Sequence, residues 1–446
     1  MTSMEKERKN QVVRDFQERM NYDELMNCMR CGFCLPACPT YGETEGNEAA
    51  SPRGRIALMK AVVDGNMEPD EDFEKQLSLC LGCRACEPAC PSGVKYGHLL
   101  EEARDILQEK KQHSMPTSIL RRVVFDHVFP HQNRMKTLTR LMWFYQKSGV
   151  QKLAQTTKLT KIAGKHLSMM ERVLPDIPSP RKMRRRPKHV EAEGVPKKKV
   201  AFFSGCLMDT MFMETNDATL FLLKKANCEI AIPKGQNCCG ALHAHSGEKD
   251  SAKEMAKKNI LAFEMEGIDY IVSNAGGCGA LLVEYDYLLK DEPEWTNRAK
   301  KFVSKVKDIS EILYEVGMPD MALAPQVVTY QDSCHLRNVM KTSEAPRKLL
   351  QSIEGVTYIE MKQSDRCCGS AGIYNLVEQE MSMQILDHKM AHAKATNATT
   401  IVTANPGCLL QMKLGIEREV LQGKVRAVHI VDLLAEAVKK DGAGDE

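Results

Sequence analysis

The sequence predicts a multidomain chain of mixed class, α+β and α/β together. A helical N-terminal domain built on cysteine loops comes first, then a helical linker, then two duplicated α/β domains. Three observations predict this. One cysteine pattern occurs twice before residue 100. A longer unit, with four cysteines in each copy, occurs twice after residue 197. Between them runs a helical and then basic stretch without cysteine. The expected boundaries are 1–110, 111–196, 197–320 and 325–440.

The first element is Cys28-Met29-Arg30-Cys31-Gly32-Phe33-Cys34-Leu35-Pro36-Ala37-Cys38-Pro39, repeated as Cys80-Leu81-Gly82-Cys83-Arg84-Ala85-Cys86-Glu87-Pro88-Ala89-Cys90-Pro91. Both copies read C-x2-C-x2-C-x3-C-P, the bacterial ferredoxin spacing for a [4Fe–4S] cubane. A cubane offers four iron corners, and each takes one thiolate. Three cysteines at two-residue gaps wrap three corners. The fourth is expected to cross to the other cluster. The expected ligand sets are therefore Cys28, Cys31, Cys34 and Cys90, and Cys80, Cys83, Cys86 and Cys38. Zinc sites read instead as separated CxxC pairs around one ion, a poorer match. Pro39 and Pro91 turn the chain away after the crossing ligand.

The chain has 446 residues, enough for several cores. Its 17 cysteines are odd in number and follow metal spacings, and no secretory signal opens the chain, so a disulfide framework is not expected. No apolar run reaches the length of a membrane-spanning helix. The expectation is a cytoplasmic protein, peripheral at most at the inner face of the cell membrane. Net charge is +3, from 62 basic and 59 acidic residues, which gives no global attraction to nucleic acid.

Along the chain, Asn10–Asn27 reads as an amphipathic helix with Val12, Val13, Phe16, Met20, Leu25 and Met26 apolar. Ser51 and Pro52 read as N-cap and first residue of a second helix. Arg53, Arg55 and Arg84 lie close in sequence to the cysteine loops, where positive charge would offset eight thiolates, or simply face solvent. From Tyr96 to about residue 145 the pattern is helical. Around Trp143 it is apolar and basic, which suits a buried helix pair or a docking face. Residues Pro175–Lys199 read as an exposed linker, with six basic residues among the eight of Arg181–Lys188.

The C-terminal half says the same thing twice. Cys206, Cys238-Cys239-Gly240 and Cys278 match Cys334, Cys367-Cys368-Gly369 and Cys408, at offsets of 128, 129 and 130 residues. Strands are expected at Phe202–Ser204, Glu229–Ile232 and Tyr270–Val272, and again at Val327–Tyr330, Val356–Glu360 and Ile401–Thr403. Helices fall between, as at Ala252–Phe263 and Ile373–Met390. Alternating β and α predict parallel sheets, whose sites form where strands end. Four thiols per unit suit a further iron–sulfur or zinc centre, or else buried unligated cysteines. His243, His245 and His335 lie near them in sequence as candidate ligands or proton carriers.

Together the two ferredoxin-type loops, the paired Cys…Cys-Cys-Gly…Cys units, Ser51-Pro-Arg-Gly-Arg, Cys80-Leu-Gly-Cys-Arg-Ala-Cys and Tyr330-Gln-Asp-Ser-Cys-His-Leu resemble the glycolate oxidase (glycolate dehydrogenase) iron–sulfur subunit family. The resemblance covers nearly the whole chain. It implies cysteine-rich CCG domains in the C-terminal half and two [4Fe–4S] clusters. It also implies an electron-transfer role beside a flavoprotein (FAD) partner that oxidises glycolate to glyoxylate, with a quinone or other membrane acceptor. Related chains include the anaerobic glycerol-3-phosphate dehydrogenase small subunit and heterodisulfide reductase. Ala275 and Asn405 stand where the wider family places the first cysteine of a closing Cys-x-x-Cys, which counts against heterodisulfide-type chemistry. No GxGxxG follows a strand, so no flavin or nucleotide site is expected in this chain. No paired carboxylates or Ser/His/Asp set marks a catalytic residue. The alternatives are a thiol/disulfide enzyme, an iron–sulfur subunit serving lactate or glycerol 3-phosphate, and a zinc-centred docking protein.

Overall fold

The computed structural model describes residues 3–157, 165–184 and 186–440. They form two compact units. The first comprises Met1–Leu120, Ala241–Ala252 and Asp365–Lys389, and the second Arg121–Gly240, Lys253–Ser364 and Met390–Glu446.

The first unit is helical. The amphipathic N-terminal run folds as two helices, Ser3–Arg19 and Tyr22–Met26, where one was expected. The break has a local cause: the Asn21 side chain accepts from Glu24 N at 3.0 Å and so caps the second helix. Ser51 caps Pro52–Val63 as expected, its hydroxyl accepting from Gly54 N at 3.0 Å. Helices Glu71–Ser78 and Tyr96–Lys110 complete the frame. Their apolar faces meet in one core through Phe16, Met59, Phe73, Leu77, Leu99 and Ile106, with Phe16 edge-on to Phe73 at 5.6 Å. The segments that follow Cys239 and surround Cys367 belong to this unit. Lys249 pairs with Glu102 at 2.7 Å, Arg366 with Glu43 at 2.6 Å, and the Tyr374 hydroxyl donates to Leu79 O at 2.9 Å.

The second unit holds two sheets. Strands β1 (His189–Val190), β2 (Lys198–Phe203), β3 (Cys228–Ala231), β4 (Tyr270–Ser273) and β5 (Val306–Asp308) form the first, in the order β1-β3-β2-β4-β5. All its pairs are parallel except β1 with β3. Strands β6 (Ala322–Gln331), β7 (Glu354–Tyr358), β8 (Thr400–Thr403) and β9 (Arg426–His429) form the second, wholly parallel, in the order β7-β6-β8-β9. Leaving β1 aside, the two strand orders are the same, as duplication requires. One apolar core runs through both, from Phe202, Leu222 and Ile230 to Tyr330, Val402 and Leu433.

The linker is more structured than its composition suggests. It supplies edge strand β1 and a short helix, Pro180–Arg184. Arg186 pairs with Asp209 at 2.6 Å and Asp217 at 2.9 Å, and Lys182 with Glu214 at 3.2 Å. These positive charges are answered by acidic residues of the first repeat. Arg185 lies outside the described residues. The long helical stretch after Tyr96 is interrupted at 111–114 and again near residue 130.

Candidate metal centre

The two N-terminal loops follow one backbone path. In each, the residue before the second cysteine and the residue after it are left-handed. These are Arg30 (φ +54°) and Gly32 (φ +89°) in the first loop, Gly82 (φ +63°) and Arg84 (φ +58°) in the second. Glycine takes one of the two strained positions in each loop, at opposite places. The closing turns repeat as well. Leu35 N bonds Gly32 O at 3.0 Å and Cys38 N bonds Leu35 O at 3.1 Å. Glu87 N bonds Arg84 O at 3.1 Å and Cys90 N bonds Glu87 O at 3.0 Å.

Cys28, Cys31, Cys34 and Cys90 line a single hollow, together with Cys86, Pro52, Arg53, Ile56 and Tyr96. Cys31 is exposed, and Cys28, Cys34 and Cys90 are half-buried. Cys38, Cys80, Cys83 and Cys86 are buried. Burial pushes the Cys86 thiol well up, and the charges of Cys83, Cys80 and Cys38 push it further. Cys38 thus lies close enough to act on Cys86 of the second loop and also on Cys34 of the first. Burial also acts to raise Cys80, but the positive charges of Arg55 and Arg104 overcome it and hold that thiol below its usual value. An all-thiol donor set around a hollow, with buried positive charge beside it, suits an anionic iron–sulfur cluster. Among the described residues, no three His, Cys, Asp or Glu side chains are arranged to hold one metal ion.

Tight packing explains two glycines near the loops. A Cβ on Gly54 would lie 1.9 Å from Glu48 O, so the helix start admits no side chain there. A Cβ on Gly97 would lie 2.5 Å from Arg84 Nε. Gly97 N instead donates to Glu87 at 2.8 Å.

In the first repeat all four thiols sit just past the C-terminal ends of β2, β3 and β4. Cys206 Sγ lies 3.5 Å from Cys238 Sγ. The Cys238 thiol, then burial, pushes Cys206 well up. Cys238 and Cys278, then burial, do the same to Cys239. Cys206 and Cys238 thus lie side by side, with Cys239 and Cys278 near enough to act on them. Polar residues with no motif of their own hold them there. Tyr285 donates to Cys239 O at 2.8 Å, and Asn259 donates to Cys238 O and to the Tyr285 hydroxyl, both at 3.0 Å. Asn274 donates to Asn216 Oδ1 and Thr219 Oγ1, both at 2.8 Å, fixing the turn before Cys278.

In the second repeat Cys334 and Cys408 belong to the second unit, and Cys367 and Cys368 to the first; all four are buried. Cys334 Sγ lies 3.5 Å from His335 Nδ1, and Asn405 Nδ2 donates to Cys408 Sγ at 3.7 Å. Asp332, buried, anchors the turn before Cys334 through Arg347 at 2.8 Å and Arg337 at 3.0 Å. His245 pairs with Glu101 at 2.8 Å in the first unit, and His243 is buried there. Cys228 is a core residue of β3, and burial pushes its thiol up to about 11.

Comparison with known proteins agrees with this architecture. The family described as 4Fe-4S dicluster domain matches residues 24–94. The glycolate oxidase iron-sulfur subunit linker region matches 116–174, and the cysteine-rich domain matches 200–283 and 328–413. The chain is 62% identical over 436 residues, 97% of its length and 98% of the relative's, to the probable glycolate oxidase iron-sulfur subunit of Bacillus subtilis. It is 29% identical to the glycolate oxidase iron-sulfur subunit of Escherichia coli, over 94% and 95% of the two chains. Lactate utilization protein A of Oceanobacillus iheyensis is 33% identical over 53% of this chain and 96% of its own. With its dicluster loops, linker and paired cysteine-rich units in that order, the chain belongs to the family of glycolate oxidase iron–sulfur subunits.

Proposed function

We propose that this chain is the electron-transfer subunit of a flavin-dependent glycolate (2-hydroxy acid) dehydrogenase. It relays electrons from an FAD-bearing partner to a quinone or other acceptor. It holds one [4Fe–4S] cluster on Cys28, Cys31, Cys34 and Cys90 and another on Cys38, Cys80, Cys83 and Cys86. Such clusters, when bound, take and give single electrons with little bond rearrangement, which suits a two-electron flavin donor. The observation that carries the reading is the hollow in which Cys90, from the second loop, joins Cys28, Cys31 and Cys34. The chain's own part is to hold the sulfurs, shield the second set and leave the first near solvent.

No helix among the described residues is long and apolar enough to cross a membrane. Leu138, Leu141 and Phe144 of helix Gln132–Lys147 are nevertheless exposed. With Lys136, Arg140 and Lys147 on the same helix, they support peripheral docking at the inner membrane face. Cys206, Cys238, Cys239 and Cys278 are a further candidate centre. The likeness to lactate utilization protein A supports lactate as a second 2-hydroxy acid for the partner.

Anaerobic purification with metal and sulfide analysis tests the proposal. About eight irons per chain are expected from the two loops alone. Cys90→Ser should degrade the cluster at Cys28, Cys31 and Cys34 and spare the other's paramagnetic signal. Loss of the opposite signal would refute the crossed ligation. Co-purification should bring down a flavoprotein, and glycolate should bleach the clusters only in its presence.

A further inference from the structure

Three arginines stand near the cysteine loops in sequence, and their surroundings separate them. Arg53 engages Glu48 through two bonds, at 2.6 and 3.0 Å, and donates to Arg30 O at 2.9 Å. Arg84 forks onto Glu87 at 2.9 and 3.0 Å. Each therefore spends its charge on a carboxylate. Arg55 does not. It is 0% exposed and has no carboxylate partner among the described residues. Its Nε donates to Gln76 O at 2.6 Å and one Nη to Thr40 Oγ1 at 3.1 Å, while Nη1 makes no hydrogen bond.

A lone buried guanidinium is costly unless negative charge lies against it. The groups that act on Arg55 most strongly are Cys80, Tyr96 and Cys38. Thr40, which takes its hydrogen bond, also lies 3.3 Å from Cys38 Sγ. Tyr96, itself buried, donates its hydroxyl to Cys80 Sγ at 3.5 Å, and Gly82 N approaches the same sulfur at 3.4 Å. Arg104 also acts on Cys80, but its donors are taken by the carbonyls of Leu77 (2.9 Å), Cys80 (2.5 Å) and His245 (3.2 Å). Among the described residues, the cations that line the hollow of Cys28, Cys31 and Cys34 are Arg30, which is exposed, and Arg53, which is ion-paired.

We infer that Arg55 and Tyr96 are positioning residues that raise the reduction potential of the cluster on Cys38, Cys80, Cys83 and Cys86, offsetting the penalty that burial puts on its reduced form. The inference rests on the cluster assignment proposed above. Reduction adds negative charge to a cluster, so a buried cation and a donor on its sulfur favour the reduced form.

The test is a reductive titration followed by electron paramagnetic resonance, on the full chain with its clusters. Arg55→Met should move one of two midpoints to lower potential and leave the other in place. Tyr96→Phe should move the same midpoint the same way by less, and Arg55→Lys should keep most of the wild-type value. Tyr96→Phe removes one oxygen, so it keeps the test open if Arg55→Met fails to fold. An unchanged midpoint in Tyr96→Phe, together with an unchanged or unfolded Arg55→Met, would overturn the inference. So would equal shifts of both midpoints. A wild-type chain without cluster signals would instead refute the cluster assignment itself.

Discussion

Asp308 and His429 occupy the same place in the two sheets. Each is the last residue of its sheet's outer parallel strand, in register with a hydroxyl residue, Ser273 in one and Thr403 in the other. Both are 1% exposed. Burial pushes the Asp308 carboxyl up to about 7, against hydrogen bonds from Ser310 that act to lower it. Burial pushes the His429 imidazole down to about 4, against the backbone of Asn274 and Ala404. Duplication thus placed an acid and a base at equivalent sites, and each site disfavours the charged form.

The signs give a pH window. Asp308 has a folded pKa above its usual 3.8, so its contribution to stability is complete below that value and is lost as pH rises through about 7. His429 has a folded pKa below its usual 6.5, so its contribution is complete above that value and is lost as pH falls towards about 4. Asp308→Asn keeps the acceptor that caps Ser310 but cannot ionise. Thermal melts should show a larger stabilisation from Asp308→Asn at pH 8 than at pH 5. An equal shift at both would remove the buried charge as the cause.

Met29 and Phe33 border Cys31 in the first loop and are 76% and 67% exposed. Apolar side chains of that size beside the exposed cysteine suit a redox partner's docking surface. Met29→Glu with Phe33→Glu should slow reduction by the proposed flavoprotein partner at least tenfold, about 1.4 kcal/mol at the barrier. Iron content and both midpoints should stay as in wild type. Unchanged rates would move electron exchange to another face.

The Tyr285 hydroxyl is held between Cys239 O and Asn259 in a fully buried site. Tyr285→Phe removes that hydrogen bond, at a cost of about 1 kcal/mol. Denaturant unfolding should show that loss. Alkylation of native protein should show Cys238 and Cys239 more reactive, because the loop that carries them is no longer tied. Wild-type reactivity would show that packing alone holds the pair.

Much of this protein is legible in its sequence because the chemistry is local. Eight cysteines at fixed spacing announce cluster loops wherever they are folded, since three cysteines of each loop lie within seven residues of chain. The duplication is also visible, because strands such as Tyr270–Ser273 and Thr400–Thr403 are apolar runs that end at a cysteine turn. Short strands such as Val306–Asp308 and Arg426–His429 have too few residues to show a period, and only pairing with β4 and β8 reveals them. Which arginine lacks a carboxylate was decided by tertiary structure. Arg53, Arg55 and Arg84 read alike in sequence, and burial with partner choice separates them. The same holds for Tyr285, Asn259 and Asn274, whose hydrogen bonds reach groups distant in the chain. Spacing along the backbone sets which thiols can share a cluster. Which charges and dipoles surround those thiols depends on residues far apart in sequence, and only the folded chain brings them together.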